Sequence, residues 1–273
     1  MRPKILFLDL DGTLLNDQKR ISPENQQAVH LALSRGHKVV IASGRPLKSA
    51  LIQAESIGLD GPGCFLIAYN GAVIYDCSGK RELFRRTLDM NDLYQLFDEA
   101  NRRKIYIQTY DNNDVLLESR NDSENARRYC LLTDMTYRVI DNVRTDLPEP
   151  PPKALMIDFN GRMKTEPMRQ WIAANMAGKI DAFFSGQYYL EAVAAGQNKG
   201  RAVLDVCKLL NFSPRDTIAA GDEANDISML RTAGLGAAMK NALPEVKAAA
   251  GYVTRRDNNH DGVAEIIYHY LLE

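Results

Sequence analysis

The sequence predicts an α/β fold in which a parallel sheet flanked by helices is interrupted by an inserted α+β domain. The first observation is the run Ile5-Leu6-Phe7-Leu8, whose lack of polar alternation is typical of a strand covered on both faces. The second is that similar runs alternate with helical segments near both ends of the chain, whereas the pattern changes from residue 82 onward. We therefore predict a core formed by residues 1–81 and 191–273, with residues 82–190 forming the inserted domain.

The first part of the core continues from that strand as helices and strands in turn. Ser22 before Pro23 predicts a helix start, because serine caps helix N-termini and proline is favoured in the first turn. Pro46 predicts a second helix start, and Asn70-Gly71 predicts the turn of a hairpin. The other predictions are strands at 39–42, 65–68 and 72–75, and helix ends near residues 36 and 58.

The inserted segment predicts a mixture of helices and strands. An amphipathic pattern predicts a helix over 91–103, and the prolines between 148 and 152 predict a stiff loop inside the domain. The other predictions are strands at 105–109, 115–117, 154–157, 182–184 and 188–193, and helices at 123–132 and 165–176.

In the second part of the core, buried strands and helices alternate again. The predicted elements are helices at 201–210, 223–231 and 263–272, and strands at 217–220 and 235–238.

Composition excludes several classes of partner. The chain has 273 residues, and its 34 basic and 35 acidic residues leave a net charge of −1, so binding to nucleic acid or an anionic membrane is not expected. The N-terminus lacks a signal-peptide pattern, and no segment approaches the ~20 apolar residues of a membrane span. The 4 cysteines are too far apart for a zinc or redox motif, so we expect reduced thiols in a cytoplasmic protein.

Two carboxylates follow the first strand. Asp9 and Asp11 are two residues apart, so on an extended strand their side chains point the same way, roughly 6–7 Å apart. Ligands of open α/β sheets bind beyond the carboxyl ends of the strands, which is where these residues are expected. Two like charges repel each other unless a cation or a proton-transfer role offsets the cost. Gly12 then allows a tight turn, and Thr13 adds a hydroxyl group.

A second acidic cluster, Gly221-Asp222-Glu223-Ala224-Asn225-Asp226, follows the strand predicted at 217–220. A helix beginning near Glu223 would place Asp222, Asn225 and Asp226 on one face. Acidic side chains at a helix start often have only a capping role, because the helix dipole favours negative charge there. Combined with Asp9 and Asp11, however, carboxylate oxygens at converging strand ends predict a site for a hard cation, and Mg²⁺ suits such a site.

Ser43-Gly44-Arg45-Pro46 supplies groups that suit an anion. Proline at the first helical position leaves free amides just upstream, and a helix N-terminus favours negative charge. Ser43 adds a hydroxyl and Arg45 a planar cation, although Ser-Gly is also an ordinary turn. Lys199 opens a later helix and, taken alone, could be an ordinary surface lysine.

Together these residues resemble the motifs of the haloacid dehalogenase-like hydrolases. The motifs occur in the family's order along nearly the whole chain, as Asp9-x-Asp11-Gly12-Thr13, Ser43-Gly44-Arg45, Asn70-Gly71, Lys199-Gly200 and Gly221-Asp222-x-x-Asn225-Asp226. The arrangement is most similar to the Cof-type sugar-phosphate phosphatases. That resemblance implies a Rossmann-like parallel-sheet core, with residues 82–190 as an α/β cap domain.

The resemblance also implies a Mg²⁺-dependent phosphatase that acts on a small phosphorylated metabolite, sugar phosphates first. Asp9 would be the nucleophile that forms an aspartyl-phosphate, and Asp11 would be the general acid and then the general base. The implied metal ligands are Asp9, the backbone carbonyl of Asp11, and Asp222, with Asn225 and Asp226 as support. The implied phosphate contacts are Ser43, Gly44, Arg45, Asn70, Lys199 and Asn225.

The chain departs from the family pattern at Met239-Lys240-Asn241-Ala242, where many relatives have glycine before the asparagine. Lys240 therefore bears on the geometry of this turn, although no catalytic group is lost. Two other functions fit the sequence. One is a phosphomutase or phosphotransferase of the same fold, in which a second alcohol replaces water. The other is a regulatory protein that holds a phosphoryl group without turnover, although phospho-receiver domains are shorter and have no cap.

The sequence identifies neither the substrate nor the oligomeric state. In this family the cap closes over the site and selects the leaving group. Six polar side chains of the inserted domain are candidates for that role, and each could equally pack within its own domain: Tyr106, Tyr110, Asp111, Asn112, Ser185 and Tyr188.

Overall fold

The computed structural model describes residues 2–272, which form two compact units. The first unit comprises the chain up to Gly44, Ala50–Phe84 and the chain from Asn198 onward. The second comprises Arg45–Ser49 and Arg85–Gln197. Each unit contains one sheet with helices, so the predicted α/β class is confirmed.

The strands of both units, in chain order, are β1 (Ile5–Leu8), β2 (Lys38–Ala42), β3 (Cys64–Ala68), β4 (Val73–Asp76), β5 (Arg81–Arg85), β6 (Ile107–Tyr110), β7 (Asp114–Glu118), β8 (Thr136–Ile140), β9 (Lys153–Ile157), β10 (Ile180–Phe184), β11 (Tyr189–Ala194), β12 (Thr217–Gly221), β13 (Leu235–Ala238) and β14 (Tyr252–Val253).

The helices are α1 (Pro23–Ser34), α2 (Leu47–Ser56), α3 (Met90–Arg102), α4 (Ser123–Thr133), α5 (Val143–Asp146), α6 (Thr165–Asn175), α7 (Lys199–Leu210), α8 (Ile227–Thr232), α9 (Pro244–Ala249) and α10 (Gly262–Tyr270). Short 3₁₀ turns occupy Tyr69–Gly71, Pro214–Asp216 and Ala224–Asp226. The predicted cap of α1 is confirmed, because the Ser22 hydroxyl accepts a hydrogen bond from the Asn25 amide at 3.2 Å.

The sheet of the first unit has eight strands in the order β14-β13-β12-β1-β2-β3-β4-β5. Neighbouring strands from β14 to β3 are parallel, and β4 returns antiparallel beside β3, which confirms the hairpin predicted at Asn70-Gly71. All four residues of β1 are buried, as a strand in the middle of a two-sided sheet requires. Since β1, β2, β3 and β12 run parallel, the segments that follow them lie at one edge of the sheet.

The sheet of the second unit has six strands in the order β10-β11-β9-β6-β7-β8. Its neighbours are antiparallel except for β7 and β8. A buried cluster that includes Leu93, Phe97, Met156 and Met168 joins this sheet to its helices. The proline-rich loop before β9 is tied into the same unit, because Pro151 O accepts a hydrogen bond from the Leu88 amide at 2.8 Å.

Over residues 2–272, no helix combines the length and the apolar character that a membrane crossing needs.

Candidate active site

Asp9 lies directly after the central strand of the first unit. Its amide donates to Ala220 O at 3.0 Å, which continues the pairing of β1 with β12, and its side chain is buried. The chain then turns sharply. The Leu14 amide donates a hydrogen bond to Asp9 O at 3.2 Å, and Gly12 adopts a φ of +84°.

That turn corrects the prediction that Asp9 and Asp11 share one extended strand. The strand ends at Leu8, and Asp11 lies within the turn, where its carboxylate accepts a hydrogen bond from Lys19 Nζ at 2.7 Å. Alternation along a strand therefore does not apply to this pair, since regular strand geometry ends before Asp9.

Three buried carboxylates converge at this edge of the sheet. Asp9, Asp222 and Asp226 each offer an oxygen, and these oxygens lie within 4.8 Å of one another. The convergence follows from the topology, because β1 and β12 are parallel neighbours and both end here. A cluster of hard oxygen donors carrying excess negative charge fits a divalent cation such as Mg²⁺.

Lys199 lies between two of these carboxylates. Its Nζ is 2.5 Å from Asp9 Oδ1 and 2.6 Å from Asp226 Oδ1, and its side chain is only 1% exposed. Lys199 is the first residue of α7, whose preceding Asn198 caps the helix by accepting from the Arg201 amide at 2.9 Å. A buried ammonium needs such partners, because an unpaired charge in the interior is strongly destabilising.

Asp226 also organises the loop that carries Asp222. Its Oδ2 accepts hydrogen bonds from the amides of Asp222 at 3.0 Å and Glu223 at 3.1 Å. The predicted helix start at Glu223 is therefore wrong: a 3₁₀ turn occupies Ala224–Asp226, and α8 begins at Ile227. The turn is 3₁₀ because the Asp226 amide donates to Glu223 O at 2.9 Å, and Glu223 and Asp226 form a capping box at its start.

Asp222 and Asp226 converge in the carboxylate cluster, as predicted, but the three polar residues of the acidic segment bond to three different partners. Asp222 Oδ1 accepts from Thr13 Oγ1 at 2.7 Å, whereas Asp226 bonds to Lys199. The side-chain Nδ2 of Asn225 instead donates to Asn70 Oδ1 at 2.9 Å. The segment thus links three loops of the sheet edge.

Two contacts of the Gly12 turn hold these loops together. A Cβ on Gly12 would lie 2.3 Å from Asp222 Oδ2, so only glycine allows the loop after β1 to approach this carboxylate so closely. Asn241 also holds that loop, because its Nδ2 donates to Gly12 O at 2.8 Å. The turn that contains Lys240 is closed by a hydrogen bond from the Ala242 amide to Met239 O at 2.9 Å, so Lys240 does not disturb this contact.

The site's electrostatics follow from burial. Burial raises the pKa of Asp9 well above its usual range, although the nearby charge of Lys199 opposes the rise. Burial and then the charge of Asp226 raise the pKa of Asp222 to about 7, while the Thr13 hydrogen bond lowers it. Burial alone would lower the pKa of Lys199, but the carboxylates of Asp226 and Asp9 outweigh it and raise the pKa. The site therefore disfavours its own negative charge until a further cation binds.

The predicted anion-binding residues of the first unit lie on adjoining loops. Ser43 follows β2 and is buried, and the Asn70 amide donates to its carbonyl at 3.1 Å. A Cβ on Gly44 would lie 3.0 Å from Asn70 Nδ2, which shows how closely these loops pack. Among residues 2–272, the buried Asn70 Nδ2 has no hydrogen-bond partner, so this loop holds an unused donor.

Arg45 belongs to the second unit, where its Nη1 lies 3.4 Å from Ser49 Oγ. The six candidate side chains of the inserted domain also have partners within that unit. Tyr106 and Tyr110 both bond to the buried Gln108, and the Asp111 carboxylate pairs with Arg138 at 3.0 Å. The remaining contacts are Asn112 with Arg85, Ser185 with Glu191, and Tyr188 with Phe159.

The local pattern did not indicate two contacts of this site. The first is the Lys19–Asp11 ion pair, which depends on a turn that only the fold reveals. The second is the bond from Asn258 Nδ2 to Leu15 O at 3.1 Å, which joins the loop after β1 to a segment 243 positions away. Neither Lys19 nor Asn258 directly follows an apolar run, which is the signal that marked Asp9, Ser43 and Asp222.

The chain is similar over its whole length to known hydrolases. The sequence model of the haloacid dehalogenase-like hydrolase family matches residues 6–267. The 5-amino-6-(5-phospho-D-ribitylamino)uracil phosphatase YcsE of Bacillus subtilis is 31% identical over 272 residues, which cover 98% of this chain and 96% of that protein. The pyridoxal phosphate phosphatase YbhA of Escherichia coli is 27% identical over 288 residues, with 100% of both chains covered.

A solved structure extends the similarity to the fold. The crystal structure of a haloacid dehalogenase-like hydrolase from Bacteroides thetaiotaomicron has a TM-score of 0.88 and 32% sequence identity. The match covers 98% of this chain and 99% of that chain, so both units are included.

Proposed function

Since this chain belongs to the haloacid dehalogenase-like hydrolase family, we propose that it hydrolyses phosphate monoesters of small metabolites through an aspartyl-phosphate. Sugar phosphates are the substrate class that we favour. The observation that carries the proposal is the buried Asp9 carboxylate, held by Lys199 at 2.5 Å within a cluster of three carboxylates. A carboxylate at such a position can attack a phosphorus atom and form a covalent intermediate.

We assign the chemistry of the two half-reactions to Asp9 and Asp11. Asp9 attacks the phosphorus atom, the ester P–O bond breaks, and the leaving alkoxide takes a proton from Asp11. Asp11 then accepts a proton from water, whose oxygen attacks the phosphorus atom of the aspartyl-phosphate and releases inorganic phosphate and Asp9. The exposure of Asp11 supports this role, because a general acid must reach both the leaving group and water.

The phosphoryl oxygens need donors that spread their negative charge. We assign this role to Ser43, Gly44, Asn70 and Lys199, with Arg45 and Asn225 as further contacts. The unused donor at Asn70 Nδ2 supports this assignment, because a buried amide without a partner is rare unless a ligand completes it. Lys199 also offsets part of the charge repulsion between Asp9 and a phosphate dianion.

The same cluster fits Mg²⁺, which prefers carboxylate and carbonyl oxygens and keeps several waters. We propose that Asp9, the carbonyl of Asp11 and Asp222 would hold it, with Asp226 keeping the Asp222 loop in place. When bound, Mg²⁺ supplies positive charge that neutralises the phosphoryl oxygens and the carboxylates around them.

The named relatives support a small phosphorylated metabolite as substrate. One is named for a phosphoribityl compound and the other for pyridoxal phosphate, and both compounds are phosphate monoesters of small molecules. We further propose residues 82–190 as a cap domain that contributes to substrate choice, and a cytoplasmic location, which cell fractionation would check.

A substrate panel tests this function. The purified protein is incubated with phosphorylated sugars, nucleotides and cofactors, with Mg²⁺ or with EDTA, and released phosphate is measured. We expect phosphate release from at least one small monoester, lost with EDTA and restored by Mg²⁺. No release from any member of the panel would contradict the proposal, and transfer of the phosphoryl group to an added sugar instead of water would identify a phosphotransferase.

A further inference from the structure

Lys19 contacts the carboxylate to which we assign proton transfer. Its Nζ lies 2.7 Å from Asp11 Oδ1, with 56% of the lysine side chain and 36% of the aspartate side chain exposed. An exposed ion pair of this kind contributes little to stability, because water screens it and the long side chains lose freedom. The turn that carries Lys19 shows how the lysine is held beside Asp11.

The turn from Asn16 to Arg20 is closed by its own hydrogen bonds. The Lys19 amide donates to Asn16 O at 2.9 Å, and the Asn16 amide donates to Arg20 O at 2.9 Å. The side-chain oxygen of Asn16 accepts from the amides of Gln18 and Arg20, each at 3.0 Å. Lys19 itself adopts a φ of +58°, a left-handed conformation that is unfavourable for a residue with a Cβ.

The same turn is fixed to a distant loop of the first unit. Asp17 Oδ1 accepts from Asn258 Nδ2 at 3.1 Å, and Asp17 Oδ2 accepts from Asn259 Nδ2 at 3.1 Å. In return, the Asp17 amide donates to Asn259 Oδ1 at 3.0 Å. The backbone beneath Lys19 is therefore held at both ends, and left-handed backbone at a non-glycine residue persists where the surroundings enforce it.

We propose that Lys19 is a positioning residue that holds the Asp11 carboxylate in the orientation needed for proton transfer. The inference rests on the proposed function, since it gives Lys19 a role through Asp11. A carboxylate at the exposed end of a turn has several rotamers, whereas proton transfer requires one placement relative to the leaving oxygen and to water. An ammonium fixed by a closed turn selects among those rotamers, and Lys19 need not touch the substrate to do so.

The test is a double-mutant cycle with p-nitrophenyl phosphate, a monoester whose good leaving group keeps slow variants measurable. Lys19→Met, Asp11→Asn and the double variant are compared with the wild-type protein. Arg20→Met is the matched control, because Arg20 lies in the same turn and its side chain is exposed. Circular dichroism and the thermal midpoint confirm that each variant folds.

We expect Lys19→Met to lower kcat about tenfold with little change in KM, because the Asp11 carboxylate loses its fixed orientation whereas substrate binding is kept. The conservative variant Lys19→Arg should retain most of the wild-type kcat, because it keeps a positive charge at this position. Arg20→Met should have the wild-type kcat. In the Asp11→Asn background, Lys19→Met has no further effect, because the group through which it acts is already absent.

Three results would overturn the role of Lys19 while leaving the phosphatase activity intact. These are a wild-type kcat for Lys19→Met, an equal loss in both backgrounds, and a change confined to KM. The last result would place Lys19 in substrate binding. A wild-type protein without activity on any monoester would instead overturn the proposed function itself, so the two failures are distinguishable.

Discussion

Lys199 and Asp9 form a buried ion pair, with Nζ 2.5 Å from Oδ1, although they are 190 positions apart in the sequence. The pair exists because α7 begins beside the carboxyl end of β1, and Asp226 completes it from a third segment. One ammonium thus faces two carboxylates, which leaves the cluster with excess negative charge.

Replacing Lys199 should therefore destabilise the protein. Lys199→Met leaves Asp9 and Asp226 buried without their cation, so we expect the free energy of unfolding to fall by about 3–5 kcal/mol. Urea denaturation monitored by circular dichroism measures this change. Lys208→Met is the control, since Lys208 is exposed on the same helix, and an equal loss in both variants would contradict the account.

Gly12 should not tolerate a side chain. Gly12→Ala places a Cβ 2.3 Å from Asp222 Oδ2 and also strains a φ of +84°. Gly36→Ala separates the two effects, because Gly36 has a φ of +86° and no atom within 4 Å of the position that its added methyl group would take. We expect about 1–2 kcal/mol of destabilisation from strain in Gly36→Ala and a larger loss in Gly12→Ala. Urea denaturation of both variants measures the difference.

The variants Gly12→Ala and Gly36→Ala should also differ in metal binding. Isothermal titration with Mg²⁺ should show weaker binding in Gly12→Ala, because the added methyl group displaces Asp222. Gly36→Ala should bind as the wild type does. Equal Mg²⁺ affinity in both variants would show that the approach of Gly12 to Asp222 does not shape the site.

The metal-free protein should lose stability as pH rises. Burial raises the pKa of Asp222 to about 7 in the folded state, so the unfolded chain binds fewer protons than the folded one between pH 4 and 7. The free energy of unfolding therefore falls across this window, and burial of Asp9 acts in the same direction. Urea unfolding in EDTA at pH 5, 6 and 7 measures the trend. An increase in stability over the same interval, with Asp222→Asn removing that increase, would contradict the assignment.

Mg²⁺ should reverse this trend, because binding requires the carboxylate forms. We expect the Mg²⁺ affinity to fall as pH decreases below about 7, with protons released on binding. Titration calorimetry in two buffers of different ionisation enthalpy counts those protons. Binding without proton release at pH 6 would show that Asp222 is already ionised.

Removing the nucleophile should abolish turnover. Asp9→Asn keeps the shape of the side chain but removes its attacking charge, so we expect at least a ~1,000-fold loss in kcat, equivalent to about 4 kcal/mol. Asp60→Asn, at an exposed position of the same unit, should retain wild-type kcat. Near-normal turnover of Asp9→Asn would exclude this residue as the nucleophile.

Much of the core could be predicted from the sequence because its strands are covered on both faces. The apolar runs of β1 and β12 show no alternation, and the polar residues that follow them marked the edge where the carboxylates meet. Strand β8 was not predicted, because it lies at the edge of its sheet and four of its five residues are exposed. Strand β14 has only two residues, too few for any periodic pattern.

The site was predictable in position but not in detail. The convergence of Asp9 and Asp222 follows from strand order, whereas the turn after Leu8 depends on a hydrogen bond from the Leu14 amide to Asp9 O. The 3₁₀ turn before α8 depends on one carboxylate serving both Lys199 and two amides. Such divided roles leave no periodic signal in the sequence. The catalytic roles of the site residues and the domain boundaries remain predictions.

The most direct test of the central claim is to identify the residue that carries the phosphoryl group. The protein is mixed with a substrate monoester, quenched in acid and treated with borohydride, which reduces an aspartyl-phosphate to homoserine, and its peptides are then sequenced by mass spectrometry. The account predicts homoserine at position 9 and none in Asp9→Asn. Homoserine at another aspartate in an active protein would contradict it.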